Sequence, residues 1–250
     1  MITVQDIYQK INEMSPFSLA MGFDNCGLLV GTPNQTVSQC IIALDITNEV
    51  IDLAIAKKAD LIITHHPIIF HAMKTVTSNE RVFKLIQNNI SVISAHTNLD
   101  IAQDGVNDIL AKRLSLQDVR VLENCDGVVR MGNLQHPMSG TEFAREVKEK
   151  LKAKFVQVVN GSKEVKSVAV CGGSGDDYLQ SVIDANIDVL VTGEVDHDVV
   201  IDAINNDITL ICAGHHYTEA PVLYMLENLM KTHFSSISIC LYDDLKMEVI

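Results

Sequence analysis

Leu61-Ile62-Ile63-Thr64-His65-His66-Pro67 is a short apolar run that ends in two adjacent histidines and a proline. An apolar run of this length is typical of a strand buried inside a parallel sheet. Proline cannot continue a central strand, so the histidines stand at the C-terminal end of this one. Ligands of open parallel sheets bind beyond that end. The stretch therefore predicts a buried strand that carries two imidazoles to a binding site.

Two further apolar runs end in the same way, and each is followed by a histidine and then a carboxylate. Residues 91–95 precede His96 and Asp100, and residues 208–213 precede His215 and Glu219. Neutral imidazole and carboxylate are the ligands of zinc, manganese and iron(II) sites. The three runs together predict a metal centre.

The strong candidate ligands outnumber the three protein ligands of a typical catalytic zinc site. This excess favours two ions, and Glu219 is our candidate for a bridging carboxylate. From spacing alone, Asp100 is explained equally well as a ligand or as a helix cap. His96 is a ligand or a residue that orients one, and we favour the orienting role.

Alternating strands and helices predict the fold class. A β-α-β-α-β pattern covers residues 39–114 and returns over residues 166–231, where the last helix is expected at 218–231. Residues 60–64 align with residues 188–192 at an offset of 128 positions, which indicates a duplicated domain. We therefore predict an α/β protein with largely parallel strands. The two halves are predicted at 1–125 and 126–250.

Composition limits the class of protein and its partners. The formal net charge of −13 disfavours binding to nucleic acid and to anionic membrane surfaces. The six cysteines form no C-x-x-C pair, and four lie in or beside apolar runs, as expected of reduced, buried thiols. No apolar run approaches the roughly 18 residues of a membrane span. We expect a cytoplasmic protein without a membrane partner.

Several motifs together resemble those of one known family. They are Asp24-Asn25-Cys26-Gly27-Leu28-Leu29-Val30-Gly31, Thr64-His65-His66-Pro67-Ile68-Ile69-Phe70, Ala95-His96-Thr97-Asn98-Leu99-Asp100, Gly172-Gly173-Ser174-Gly175, Thr192-Gly193-Glu194 and Gly214-His215-x-x-Thr218-Glu219. On these motifs the chain resembles, essentially from end to end, the Nif-three-like proteins, or GTP cyclohydrolase 1 type 2 homologues.

The resemblance implies two similar, intertwined three-layer α/β/α domains that arose by duplication. It also implies two divalent ions per chain (zinc, iron or manganese) and a ring-shaped homohexamer. The metal ligands that it implies are His65, His66, Asp100, His215 and Glu219. The resemblance thus decides for Asp100 as a ligand, where spacing left two alternatives.

The function that the resemblance implies is metal-dependent hydrolysis of a nucleotide-like substrate or another small molecule. His96 is the candidate proton shuttle, because imidazole titrates near neutral pH. A non-catalytic, metal-binding hexameric scaffold is the alternative from another class. A phosphoesterase or peptidase that uses the same site is a third reading. The sequence does not separate these three.

Overall fold

The computed structural model describes residues 1–249, which form two mixed α/β units. The strands are β1 (Gly27–Val30), β2 (Gln39–Ala43), β3 (Leu61–Thr64), β4 (Ser91–Ser94), β5 (Gln117–Val121), β6 (Arg130–Ser139), β7 (Gln157–Val159), β8 (Glu164–Ser174), β9 (Val189–Glu194), β10 (Thr209–Cys212) and β11 (Ser238–Tyr242). The helices are α1 (Val4–Met14), α2 (Asn48–Ala56), α3 (Arg81–Gln87), α4 (Thr97–Ile101), α5 (Val106–Arg113), α6 (Gly140–Leu151), α7 (Leu179–Asp184), α8 (His197–Asn205), α9 (His215–Glu219) and α10 (Pro221–His233).

The first unit contains Met1–Ala102 and Val222–Asp244. Its sheet has the order β1-β4-β3-β2-β11, in which β1 is antiparallel to β4 and the other neighbours are parallel. Every residue of β3 and β4 is buried, so both faces of these strands are covered. The C-terminal ends of these two strands therefore emerge together at one edge of a covered sheet.

The second unit contains Gln103–Pro221 and residues 245–249. Its sheet has the order β5-β6-β8-β9-β10-β7, with parallel pairing of β8, β9 and β10 at its centre. Phe143 of α6 is fully buried in an apolar core with residues of the central strands. The predicted α/β class is thus confirmed, with mixed sheets whose central strands are parallel.

A repeated side-chain device supports the predicted duplication. In the first unit, Asp60 Oδ2 accepts hydrogen bonds from the backbone and hydroxyl of Ser38, at 2.7 and 2.8 Å. In the second unit, the amide of Lys166, 128 positions after Ser38, donates to Asp188 Oδ2 at 2.9 Å, and Ser167 donates to the same oxygen through its amide and hydroxyl, at 2.8 and 2.7 Å. The two aspartates are 128 positions apart, which is the offset of the repeat. Each one ties the start of its strand to the neighbouring strand.

The compact units do not coincide with consecutive halves of the sequence. β11, near the C-terminus, pairs with β2 in parallel, and so belongs to the first sheet. The division at residues 1–125 and 126–250 stays a prediction about how the duplicated halves are joined. None of the helices within residues 1–249 is long and apolar enough to cross a membrane.

The prediction of a single helix at residues 218–231 was wrong, because two helices cover this part of the chain. α9 begins at His215, and α10 begins at Pro221. Proline has no amide hydrogen to continue a preceding helix and is favoured at the first position of a new one. The earlier start of α9 places His215 and Glu219 four residues apart within one helix.

Candidate metal centre

Three histidines of the first unit gather where β3 and β4 end. One ring nitrogen from each of His65, His66 and His96 lies within 4.8 Å of the other two, and we call these residues the histidine cluster. The rings of His65 and His66 are 5.0 Å apart between centroids. β3 ends at Thr64, so the alternation of side chains along a strand does not separate the two rings.

Each ring of the histidine cluster is held at Nδ1 by an oxygen atom. Nδ1 of His65 lies 2.8 Å from the carbonyl oxygen of Ala95. Nδ1 of His66 lies 2.8 Å from Oδ1 of Asp45, and Nδ1 of His96 lies 2.9 Å from Oδ1 of Asp24. Because these oxygens accept hydrogen bonds, Nδ1 carries the hydrogen in each neutral ring. The lone pair of each neutral ring is therefore on Nε2.

Asp100 lies beside this cluster, within α4. Its Oδ1 is 3.6 Å from Nε2 of His65, which is completely buried. The N-cap position of α4 is occupied by His96, and Gly105 occupies that of α5. Asp100 is therefore at neither N-cap, and its carboxylate lies near the ring nitrogen of His65 that carries the lone pair.

The second unit brings His215 and Glu219 together on α9, and we call them the His–Glu pair. Nε2 of His215 lies 3.1 Å from Oε2 of Glu219, whose side chain is buried. Nδ1 of the same ring lies 3.0 Å from Oε1 of Glu194, at the end of β9. His215 is therefore oriented through Nδ1, like the three histidines of the cluster.

Gly173 allows the backbone of β8 to approach the His–Glu pair. A Cβ atom at this position would lie 2.3 Å from Oε1 of Glu219 and 3.2 Å from Nε2 of His215. The φ angle of Gly173 is +69°, which also disfavours other residues. Its amide donates to Oγ1 of Thr218, and the amide of Gly172 donates to Oδ1 of Asn107. This glycine-rich turn shapes the space beside the pair.

The equal spacing of histidine and carboxylate predicts that His96 and Asp100 correspond to His215 and Glu219 in the repeat, but the structure shifts this match by one residue. The amides of Ala95 and Ala213 donate to the carbonyl oxygens of Thr64 and Thr192, which are equivalent residues of the repeat. This register matches His96 with Gly214, the two N-cap residues of α4 and α9. His96 and His215 are therefore not equivalent, and the repeat does not place one ligand device twice.

Sequence reasoning missed the carboxylates that orient the histidines. Asp45 follows β2 and Glu194 ends β9, so both stand at the ends of parallel strands, as the chosen histidines do. Asp24 had no such signal beyond its place in the Asp24–Gly31 motif. Within each unit the donors suit a divalent cation, since imidazole nitrogens lie beside a carboxylate and each imidazole has an oxygen partner at Nδ1.

Comparison with known proteins gives a consistent family. The model of the family described as Duf34/NIF3 (NGG1p interacting factor 3) matches residues 2–244. A GTP cyclohydrolase 1 type 2 homolog of Clostridium acetobutylicum is 34% identical over 241 residues, which cover 92% of this chain and 90% of that protein. A homolog of the same name from Streptomyces coelicolor is 35% identical, over 87% of this chain and 82% of that protein. The predicted resemblance is confirmed.

Solved structures share the fold over the whole chain. Reduced HcgD from Methanocaldococcus jannaschii has a TM-score of 0.86 at 28% identity, over 97% of this chain and 98% of that one. A Bacillus cereus protein related to NIF3 has a TM-score of 0.90 at 24% identity, over 100% and 99% of the two chains. The similarity to the Bacillus cereus protein, at 24% identity, shows the fold alone.

Proposed function

Because the chain belongs to the Duf34/NIF3 family, we propose that it is a divalent-metal-dependent hydrolase with a dinuclear site. The proposed substrate is nucleotide-like, which draws on the name of its relatives, GTP cyclohydrolase 1 type 2 homologs. The proposed ligands of the two ions are His65, His66, Asp100, His215 and Glu219.

One observation carries the proposal, namely the uniform orientation of the histidines. Nδ1 of each of His65, His66 and His215 faces an oxygen atom at 2.8–3.0 Å. This arrangement is typical of metal-bound histidine, because the oxygen fixes the tautomer and raises the basicity of the other nitrogen. Histidines that only fill a core or a surface have no need of the same tautomer at several strand ends.

The chain supplies distinct groups for binding and for proton transfer. Divalent ions in such sites polarise the bond under attack and lower the pKa of water. Zinc, iron and manganese all suit the donor set. Glu219 is the proposed bridge between the ions, and its burial keeps the carboxylate away from competing solvent. His96, which is not among the proposed ligands, is the proposed proton shuttle.

The resemblance extends the proposal to the assembly and to the cell. We propose a ring-shaped homohexamer in the cytoplasm, with no membrane or nucleic-acid partner. The net charge of −13 supports the last point, since nucleic acids bind through their phosphates to positively charged surfaces.

Metal analysis of variants tests the ligand assignment. Purified wild-type protein is expected to hold up to two zinc, iron or manganese ions per chain, whereas His66→Ala and Glu219→Ala lose metal. His136→Ala is the matched control, because His136 is exposed on β6. Metal content that is equal in all four proteins contradicts the assignment.

Turnover then separates the hydrolase from the alternatives. Wild-type protein loaded with manganese, iron(II) or zinc is tested on nucleotides, phosphoesters and peptides. Hydrolysis of a nucleotide that disappears with the metal supports the proposal. Hydrolysis of only phosphoesters or peptides points to the third reading. Bound metal without turnover of any member of the panel points to the non-catalytic scaffold.

A further inference from the structure

We propose that Asp24 is a positioning residue, which holds the His96 ring so that Nδ1 carries the hydrogen and Nε2 carries the lone pair. The effect on hydrolysis rests on the proposed function. The effect on the ring itself does not, because it follows from the contacts of Asp24 within the first unit.

Asp24 is surrounded by hydrogen-bond donors on both carboxylate oxygens, and its side chain is fully buried. Oδ1 accepts from Nδ1 of His96 at 2.9 Å and from the amide of Asn25 at 2.7 Å. Oδ2 accepts from the amide of Thr97 at 3.0 Å and from its hydroxyl at 2.6 Å. It also accepts from Sγ of Cys26 at 2.9 Å.

These contacts keep the carboxyl group ionised. Burial acts to raise the pKa of Asp24, but the hydrogen bonds from His96, Cys26 and Thr97 outweigh it and hold that pKa well below the usual range. A buried charge is costly unless it is paired and hydrogen-bonded. Among the described residues, the only ion-pair partner of Asp24 is His96. An ionised carboxylate has no hydrogen to donate, so Nδ1 of His96 must be the donor.

Asp24 also has a structural task, from which the positioning role must be separated. Its contacts with Thr97 join the segment before β1 to the first residue of α4. Those contacts use Oδ2, whereas His96 is bound by Oδ1. Since the two tasks fall on different oxygens, a substitution that treats the oxygens differently can distinguish them.

The tautomer of His96 matters because its ring lies beside those of His65 and His66. Its ring centroid is 5.1 Å from that of His65 and 5.5 Å from that of His66. The nitrogen that Asp24 leaves without hydrogen is therefore the one available to molecules at the histidine cluster. If His96 is the proton shuttle, only this tautomer can accept a proton at Nε2.

The substitution Asp24→Asn should invert the tautomer. Three donors converge on Oδ2, so the amide oxygen of asparagine is expected to take that position. The amide nitrogen then takes the position of Oδ1, where it gives up the hydrogen bond from the amide of Asn25 and donates to Nδ1 of His96. The ring must carry its hydrogen on Nε2 instead. The hydrogen bonds from the amide and hydroxyl of Thr97 are retained, because their acceptor is still an oxygen atom.

NMR spectroscopy of ¹⁵N-histidine-labelled, full-length protein with zinc tests this directly. In the wild type, the signal of His96 is expected to show hydrogen on Nδ1. In Asp24→Asn it is expected to show hydrogen on Nε2. Asp45→Asn is the matched control, because Asp45 faces Nδ1 of His66, and it should leave the His96 tautomer unchanged.

Two results overturn the inference. One is a wild-type His96 with hydrogen on Nε2, which needs no variant and so stands even if Asp24→Asn fails to fold. The other is a folded Asp24→Asn protein in which His96 keeps the wild-type tautomer. Cys26→Ala, which removes a donor to Oδ2 only, should also keep that tautomer.

Turnover links the positioning role to the proposed function. For a hydrolysed member of the substrate panel, Asp24→Asn should lower kcat by about 10- to 100-fold, the range typical of partners that orient active-site groups. Its metal content should match the wild type, and a loss of metal would mean that Asp24 acts on the fold of the site instead. If the wild type hydrolyses nothing, the proposed function fails while the tautomer result stands.

Discussion

Gly173→Ala tests whether the space beside the His–Glu pair is needed for metal binding. The new Cβ would lie 2.3 Å from Oε1 of Glu219, whereas carbon and oxygen atoms in contact are normally about 3.3 Å apart or more. The carboxylate must therefore move by about 1 Å. Because Oε1 is at the end of a flexible side chain, we expect this movement to lower the stability of the fold only slightly. We expect it to weaken metal binding more.

The backbone contributes a separate and predictable cost. A residue with a side chain at the φ angle of Gly173, +69°, loses about 1–2 kcal/mol relative to glycine. In a chain of this size each kcal/mol lowers Tm by about 2–4 °C. Without metal, Gly173→Ala should therefore melt about 2–8 °C below the wild type.

The second measured quantity is the rise in stability when metal binds. At a metal concentration of about 100 times Kd, binding stabilises the wild type by about 2.7 kcal/mol. If displacement of Glu219 weakens affinity by about 10- to 100-fold, as loss of a site partner typically does, the gain falls to about 1.4 or 0.4 kcal/mol. The variant should thus show a clearly smaller rise of Tm on addition of zinc.

Scanning calorimetry with and without zinc is the assay, since the chain has no tryptophan to report unfolding by fluorescence. Two glycines serve as controls. Gly22 has nothing within 4 Å of an added Cβ, so Gly22→Ala should change neither quantity. Gly27 has φ of +111° but only ordinary contacts, so Gly27→Ala should lose stability and keep the full zinc response.

The result that refutes the reasoning is a Gly173→Ala protein with the zinc response of the wild type. Such a protein would show that the carboxylate of Glu219 does not hold metal, or that its position has no effect. A Gly27→Ala protein with an equally reduced response would show that backbone strain alone explains the loss.

Three further predictions concern the framework of the chain. Partial burial of Asp188 acts to raise its pKa, but hydrogen bonds from Ser167 lower it below the usual value. Ionised Asp188 therefore stabilises the fold above its unfolded pKa. The gap in free energy of unfolding between the wild type and Asp188→Asn, measured by urea titration, should shrink as pH falls below about 4. A gap independent of pH would contradict this. Burial raises the pKa of Cys26 to about 12, with a further contribution from Asp24, and that of Cys212 to about 11. Both thiols should resist alkylation at pH 8 until the protein is unfolded, and equal native and unfolded rates would be contrary evidence. Phe143→Ala should lower the free energy of unfolding by about 3–5 kcal/mol, because its ring is fully buried, and a urea titration that finds less than about 1 kcal/mol would count against that core.

The sequence determined most of the fold because its signals are local. The apolar run at residues 61–64 is β3 with the bounds expected from its composition and from the proline that follows. Within the β-α-β pattern predicted from residue 39 onward, α2 begins after Thr47, a residue type favoured at N-caps, which accepts a hydrogen bond from the amide of Val50. Hydrophobic pattern, caps and breakers act within a few residues, so they can be read without a partner segment.

The sequence also identified the histidines at the strand ends, since the ends of neighbouring parallel strands meet at one edge of a sheet. It could not identify which oxygen holds each ring. Asp24 reaches His96 across 72 residues, and Asp45 reaches His66 across 21. These contacts depend on how loops fold back onto the sheet, and no periodic pattern records that.

Tertiary structure alone decided which residues correspond at the ends of the repeated strands β4 and β10. It alone also decided which sheet contains β11. The one-residue correction that separates His96 from His215 follows from backbone hydrogen bonds between neighbouring strands. β11 joins the first sheet by pairing with β2, nearly 200 residues earlier in the chain. Composition selects the kind of element, but pairing between distant strands is selected by packing over the whole unit, and a single sequence carries little trace of it.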